Sequence, residues 1–513
     1  MLSLTGVEIS LLKWAFVLKC VFTLLIVISS FLPDHDADAF KPPQQRHVGW
    51  VDQIILVCFQ GFHKWDSVYF TFIAENGYIY EQSLAFFPGF PMLIGLFGRI
   101  VTQVFLRSIS LVPSILLCGF LLNFTLCVAA TVFLYRLGVL VLGSSKISFL
   151  ASILFCCNPA VVFFSSLYSE SLFFFLTILG LYLLALRRTL WSSLLFALSV
   201  ACRSNGLLNI GYLGYFLLAR SDLRMLMWID DVNNKQKTAL SFILHSISWW
   251  INLLTFFLPR FLLLCLCALP FLIYQFYGYL LYCVHEKPFY AIFPSEIPMS
   301  LLNFGLDHDF IMPSNYRNMS TSNIPAWCSF IPPFSYTYIQ EKWDVGLWKY
   351  YQLRQIPNFV LAMPVIILCF VCSIVFYRRA PSAYRTLGLY AKSEMDRNMV
   401  PYVFHMLFLC AYGVLHINVQ VLTRMIFSSC PIVYWFSAYL LREAMPNFEQ
   451  LMKSSSTSNG KAKFAFLFYD MISICRIMNP FQYHLLKHRI ILLYFIGYAC
   501  IGCIMHSNFL PWT

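Results

Sequence analysis

The sequence predicts an all-α polytopic membrane protein, and three observations predict it. Of its 513 residues, 59% are hydrophobic and only 11% charged, whereas a soluble domain carries roughly 25% charged residues. Apolar runs of about 20 residues, the length that crosses a hydrocarbon core, recur along nearly the whole chain, enough for roughly eight to eleven spans. The basic residues behind the formal charge of +12 gather in particular loops, the pattern of cytosolic segments and not of a nucleic-acid-binding face.

Residues 11–32 form the first run, with Lys13 and Lys19 toward its N-terminal side and no small-residue cleavage site after it. It reads as a retained signal anchor with a cytosolic N-terminus. The loop over 33–83 holds three basic residues against seven acidic ones, and 285–356 holds five against six. Both read as luminal. Residues 376–398 carry five basic residues against two acids, and 442–489 carry seven against three, so both read as cytosolic. The expectation is one integral membrane domain over 1–513, with luminal loops at about 33–85 and 285–356 and cytosolic loops at about 376–398 and 442–489.

Within the first loop, residues 51–60 are apolar for too short a length to cross, and suit an amphipathic helix on the membrane surface. The stretch 62–91 then sets Asp66, Glu75 and Glu81 among Trp65, Tyr69, Tyr78 and Tyr80. A span runs from about 86 to 104 and another over 110–135. The run 147–187 is broken by Asn158-Pro159 and by 165–171, which contains Glu170. Proline and an acid in mid-membrane are tolerated where the broken backbone is buried in protein or lines a polar cavity, so Glu170 is expected to face a cavity. Residues 191–219 carry Arg203-Ser204-Asn205-Gly206 inside an apolar run, and an intramembrane arginine marks a functional site or snorkels from a span end. Residues 239–284 hold one or two spans broken at Pro259. Spans at 357–377, 399–422, 425–441 and 490–506 follow, which brings Asp66, the 285–356 loop, Arg424 and the C-terminal residues to one side.

Most of the 18 cysteines lie in apolar runs, where a thiol behaves as a small hydrophobe. Cys58 and Cys328 lie in luminal loops, and nothing in the sequence pairs them. No metal-ligand spacing, nucleotide loop or nucleophile elbow is present, so no residue is assigned to a metal and no cofactor is certain, with the requirement for a divalent ion left open. Asn318-Met319-Ser320 is an acceptor sequon in a luminal loop, the expected site of any N-glycan.

What remains is a luminal carboxylate, luminal arginines and an aromatic, amide-rich loop over the bilayer. A glycosyltransferase with a lipid-linked sugar phosphate donor needs these parts, since a carboxylate takes the proton of the attacking hydroxyl and arginine forks hold a departing phosphate. A transporter would use Glu170 and Arg203 equally well, although no inverted repeat is visible. A non-catalytic subunit of an assembly complex would leave Asp66 merely solvated.

The blocks His63-Lys64-Trp65-Asp66, Ala85-Phe86-Phe87-Pro88-Gly89-Phe90-Pro91, Tyr168-Ser169-Glu170, Arg203-Ser204-Asn205-Gly206, Gln355-Ile356-Pro357-Asn358-Phe359, 419–424 and 508–513 resemble the PIG-V family of GPI mannosyltransferases. The resemblance implies a GT-C type fold in the endoplasmic reticulum membrane. It also implies transfer of the second, α1,6-linked mannose from dolichyl-phosphate-mannose to a one-mannose GPI precursor. A β-linked donor and an α product imply inversion with a single base, which maps onto Asp66 with Trp65 beside it. Glu170, Arg203, Asn205, Gln355, Asn358, Gln420 and Arg424 are the candidates for substrate binding. Lys64 stands where the family pattern leads one to expect histidine, and Asp344 where asparagine is usual.

Overall fold

The computed structural model describes residues 4–43, 49–105, 108–219, 239–284, 297–314, 316, 324–343, 345–444 and 478–512, and these are helical with no strand among them. Asn318, Asp344 and most of the 442–489 loop lie outside the described residues. The first span, α1 (Gly6–Ser29), starts on a capping box between Thr5 and Glu8. The loop after it folds into helices of its own, α2 (Trp50–Phe59) and α3 (Asp66–Asn76). On α2, Trp50, Ile54 and Val57 are exposed while Asp52 is buried against Ser110, the two faces required of a surface helix.

The centre of the bundle is α4 (Gly89–Val104), α5 (Leu111–Leu142), α6 (Ser145–Cys156), α7 (Val161–Ser165), α8 (Glu170–Ala185) and α9 (Thr189–Cys202). Helix α5 packs against α1, α4, α6 and α8. The predicted break in 147–187 falls between α6 and α8, and its carbonyls are satisfied by side chains from other helices, as backbone out of water must be. Lys19 Nζ donates to the Phe164 carbonyl at 2.6 Å, and Asn123 Nδ2 donates to the carbonyls of Ser166 and Tyr168 at 2.6 and 2.9 Å. Lys19 is therefore a buried brace inside the membrane, not a flanking charge.

Next come α10 (Asn209–Ala219), α11 (Ala239–Tyr282), α12 (Met299–Asp307) and α13 (Ser335–Glu341). Contrary to the expected break at Pro259, α11 is one continuous helix with Pro259 and Pro270 inside it. The carbonyl whose helical donor Pro259 removes is that of Thr255, and the Arg260 guanidinium beside it donates to the carbonyls of Phe256 and Leu217. The chain ends with α14 (Ile356–Arg379), α15 (Pro381–Arg385), α16 (Glu394–Leu415), α17 (Leu422–Ser429), α18 (Pro431–Leu440), α19 (Leu486–Leu492) and α20 (Tyr498–Ser507). The expected span at 425–441 is instead the bent pair α17 and α18, turned by 83° where Pro431 opens the second helix.

Six described helices are long and apolar enough to cross a membrane, or seven with the bent pair counted as one span. Among the described residues, the count of eight to eleven is reached only with shorter apolar helices such as α4, α8 and α9. A segment enclosed by protein need not run the full bilayer thickness.

The two large polar loops pack on each other at the end of α11. Glu81, 1% exposed, accepts from Trp327 Nε1 and Lys342 Nζ at 2.7 Å each, and the Tyr80 hydroxyl donates to the Leu301 carbonyl at 2.7 Å. Cys328 forms a disulfide with Cys283, and Cys58 is free.

Candidate functional site

The site starts from a strained turn. Trp65 has φ of +56°, a backbone region costing about 1–3 kcal/mol for a bulky residue and concentrated at functional sites. The turn makes Asp66 the first residue of α3 and sends the Trp65 indole edge-on to Phe509, 5.7 Å between centroids. Lys64 lies over the same Phe509 ring at 4.5 Å and pairs with Asp34 at 2.6 Å, while the His35 amide donates to the Asn508 carbonyl at 2.9 Å. The C-terminal segment is thereby tied to the loop that carries Asp66.

From Asp66 a chain of four charges runs inward. Arg424 donates through Nη1 to Asp66 Oδ2 at 2.8 Å and sets Nε 2.5 Å from Glu170 Oε1. Arg203 donates through Nη1 to the same Glu170 oxygen and, at 3.3 Å, to Ser169 Oγ. The Arg424 guanidinium lies 5.1 Å from the ring centres of both Phe163 and Tyr168. Glu170 is the first residue of α8 and 0% exposed; the Asp66 side chain is 35% exposed. Among the described residues Asp66 Oδ1 accepts no hydrogen bond and Glu170 Oε2 has no partner. The geometry separates their roles: Glu170 is enclosed and holds two arginines, while Asp66 is reachable from outside with one oxygen open.

The remaining candidates flank this chain. Asn205 Nδ2 donates to Ser429 Oγ at 2.9 Å, and Ser204 Oγ lies 2.5 Å from the Tyr336 hydroxyl, which joins the motif to α17 and to the second loop. Asn358 Nδ2 donates to Gln355 Oε1 at 2.6 Å and to the Tyr350 hydroxyl at 2.8 Å. Helix α14, which starts directly after Gln355 and carries Asn358, packs on the turn Val419–Val421 with half-buried Gln420 just before Arg424. No bond among the described residues joins Gln355, Asn358 or Gln420 to the four charges. Sequence reasoning assigned no role to Tyr168, whose hydroxyl donates to the Lys64 carbonyl at 3.3 Å and lies 3.2 Å from His506 Nε2. Its place at the head of the Tyr168-Ser169-Glu170 block was the available signal.

His63 is turned away from the chemistry, with Nε2 2.6 Å from Thr71 Oγ1. Burial, with the Lys64 charge adding to it, pushes its imidazole down to about 4. A histidine held neutral by folding stabilises the fold above its unfolded value near 6.5, and that stability is lost as pH falls toward 4. Melting of the purified protein should therefore drop between pH 6.5 and 4 more steeply in the wild type than in His63→Asn. Parallel profiles would refute the assignment.

Fold and site together define an integral membrane protein of many spans, with two acids and two arginines linked across its helices at one end of the bundle. Within that class the chain belongs to the mannosyltransferase (PIG-V) family, whose model matches residues 7–513. It is 35% identical to GPI alpha-1,6-mannosyltransferase 2 of Rattus norvegicus and to that of Homo sapiens, in each case over 97% of both chains. It is 27% identical to GPI mannosyltransferase 2 of Drosophila melanogaster over 96% of this chain and 97% of that one. Among solved structures, the apo oligosaccharyltransferase of Archaeoglobus fulgidus aligns with 98% of this chain and 56% of its own, at a TM-score of 0.43 and 11% identity.

Proposed function

We propose that this GPI-anchor mannosyltransferase adds the second mannose, in α1,6 linkage, taking it from dolichyl-phosphate-mannose and delivering it to the first mannose of the one-mannose GPI precursor. The full-length similarity to enzymes named for that linkage supports the reading. The observation that carries it is the partly exposed Asp66 carboxylate linked through Arg424 to buried Glu170. We assign catalysis to the luminal side of the endoplasmic reticulum membrane, within a single domain of GT-C type. The Cys283–Cys328 disulfide supports that side, because it ties the end of α11 to the loop whose Trp327 bonds Glu81, and such bonds persist in oxidising compartments.

In the proposed reaction the acceptor 6-hydroxyl attacks C1 of the donor mannose from the face opposite the phosphate. Its proton passes to Asp66, the new C–O bond forms, and the C1–O bond electrons leave with dolichyl phosphate, which inverts the centre. Charge counting gives Arg424 its part. Asp66, Glu170, Arg203 and Arg424 sum to zero, while the departing phosphate goes from one negative charge to two. Protonation of Asp66 removes a negative charge from the cluster at that moment and leaves Arg424 free to serve the phosphate, where its fork is most useful. Trp65 shapes the site beside the base. Arg203, Asn205, Gln355, Asn358 and Gln420 are assigned to substrate contact, with Glu170 holding the arginines.

The test is a membrane assay from cells lacking this step, supplied with one-mannose precursor and donor; formation of an α1,6-linked two-mannose product is expected, and its absence overturns the reading. Arg424→Lys keeps the charge but not the fork. It should lower kcat/KM for the donor roughly 10- to 100-fold, the worth of a charge-assisted hydrogen bond, with normal expression. Unchanged turnover at limiting donor would mean that Arg424 only anchors its helix.

A further inference from the structure

The turn that presents Asp66 is strained at Trp65, and a non-glycine residue keeps a positive φ only where its surroundings over-determine it. Two grips do so here. On the inner side, the Lys64 carbonyl accepts from Ser67 Oγ at 2.6 Å and from the Tyr168 hydroxyl at 3.3 Å. On the outer side, the Trp65 indole and the Lys64 ammonium both rest against the Phe509 ring. Both grips lead to one short stretch at the end of α20. His506, 1% exposed, sets Nε2 3.2 Å from the Tyr168 hydroxyl, and Phe509 follows just after the helix ends. The stretch is itself well seated: α20 packs on α1 and α7, and a Cβ at Gly502 would collide with the Trp512 indole that folds back onto the helix.

Counting hydrogens fixes the direction of the inner chain. A phenol has one hydrogen to give, and the Lys64 carbonyl can only accept it. The Tyr168 oxygen then receives its hydrogen from His506 Nε2, which makes the imidazole the Nε2–H tautomer. Nδ1 of His506 is buried with no partner among the described residues, as fits a ring nitrogen that carries no hydrogen. The same imidazole packs against Phe163 and Tyr168, 5.6 and 5.5 Å between ring centres, and these are the two rings beneath the Arg424 guanidinium. His506 thus reaches both members of the Asp66–Arg424 pair, one through hydrogen bonds to the turn and the other through ring packing.

We propose that His506 is a positioning residue for the transfer reaction: acting through the Tyr168 hydroxyl, it holds the Lys64–Trp65 turn and so sets the Asp66 carboxylate against Arg424. This role rests on Asp66 being the base. At 1% exposure His506 offers substrate no surface, so its effect is on where the base stands and not on how tightly substrate binds. A base must come within about 2.6–3.2 Å of the hydroxyl it deprotonates, which makes turnover sensitive to a small shift of the turn.

The experiment measures kcat and KM for two-mannose product formation by the full-length protein in membranes, per amount of folded enzyme. His506→Phe keeps a ring for packing but donates no hydrogen. Its kcat should fall roughly 10- to 100-fold, since a misplacement of about 1 Å costs up to about 100-fold, while KM for donor and acceptor stays level. His506→Gln, whose amide can reach the place of Nε2, should recover most of that loss. Tyr168→Phe should lose as much as His506→Phe, and the double variant no more than either, because both changes break one chain. Losses that multiply, a glutamine variant no better than phenylalanine, or a raised KM with turnover kept would overturn the proposal. If His506→Phe does not accumulate, Tyr168→Phe alone decides, because full turnover by it removes the link through which His506 acts. Asp66→Asn is the reference: turnover retained there sinks the base and this role with it, whereas multiplying losses beside an inactive Asp66→Asn sink this role alone.

Discussion

Asp66→Asn lowers kcat by about 10²- to 10⁴-fold, the usual loss on removing a positioned base, while the apparent KM for donor stays level or falls. The direction of KM follows from the cluster. Asparagine keeps an oxygen for Arg424 but removes a negative charge, so the two arginines face only Glu170 and the site gains an excess positive charge for the donor phosphate. A residue that merely contacted substrate would show the reverse split, a raised KM with turnover kept. Glu170, Glu81 and Glu75 do not fit the role of base. Glu170 is 0% exposed and occupied by two arginines, and Glu81 is 1% exposed and tied to Trp327 and Lys342. Glu75 lies nine residues further along α3, about 14 Å away by helical rise. The measurement is formation of the two-mannose product at saturating donor, with wild type and variant compared at equal amounts of folded protein. Near-normal turnover by Asp66→Asn would sink the assignment.

The members of this site were legible in the sequence because charge inside an apolar run is costly and must be accounted for. Glu170 and Arg203 announce themselves that way, and Asp66 by standing in an aromatic segment between spans. Who pairs with whom was not legible. Arg424 meets an acid 358 positions away, and only the packing of α17 against α8 brings it near Glu170. Other features hid behind ordinary local readings. Cys283 ends a long apolar run and looks like core packing, so its disulfide with Cys328 has no local signal. Lys19 looks like a flanking charge until the broken backbone at Phe164 gives it a partner. The bend before Pro431 had a signal in the proline itself, but hydropathy over 425–441 does not distinguish one straight span from two short helices at 83°.

Glu170→Leu should be the most destabilising single change in the cluster, at about 3–5 kcal/mol, because it leaves buried charge uncompensated and does not simply delete a contact. Arg203 donates to Glu170 Oε1, and Arg424 forms an ion pair with the same oxygen through Nε at 2.5 Å. Without that oxygen, Arg203 keeps its hydrogen bond to Ser169, and Arg424 keeps Asp66 and the faces of Phe163 and Tyr168. Adding Arg203→Met should recover much of the loss, since the cluster then reduces to the neutral Asp66–Arg424 pair and an apolar contact replaces a stranded guanidinium. The double variant is thus expected to melt above Glu170→Leu alone, a coupling between residues in direct contact that independent sites do not show. Melting of the purified protein in detergent measures all four members of the cycle. A Glu170→Leu protein that melts like the wild type would mean that water reaches both arginines, and strictly additive losses would mean that Arg203 and Glu170 do not depend on each other.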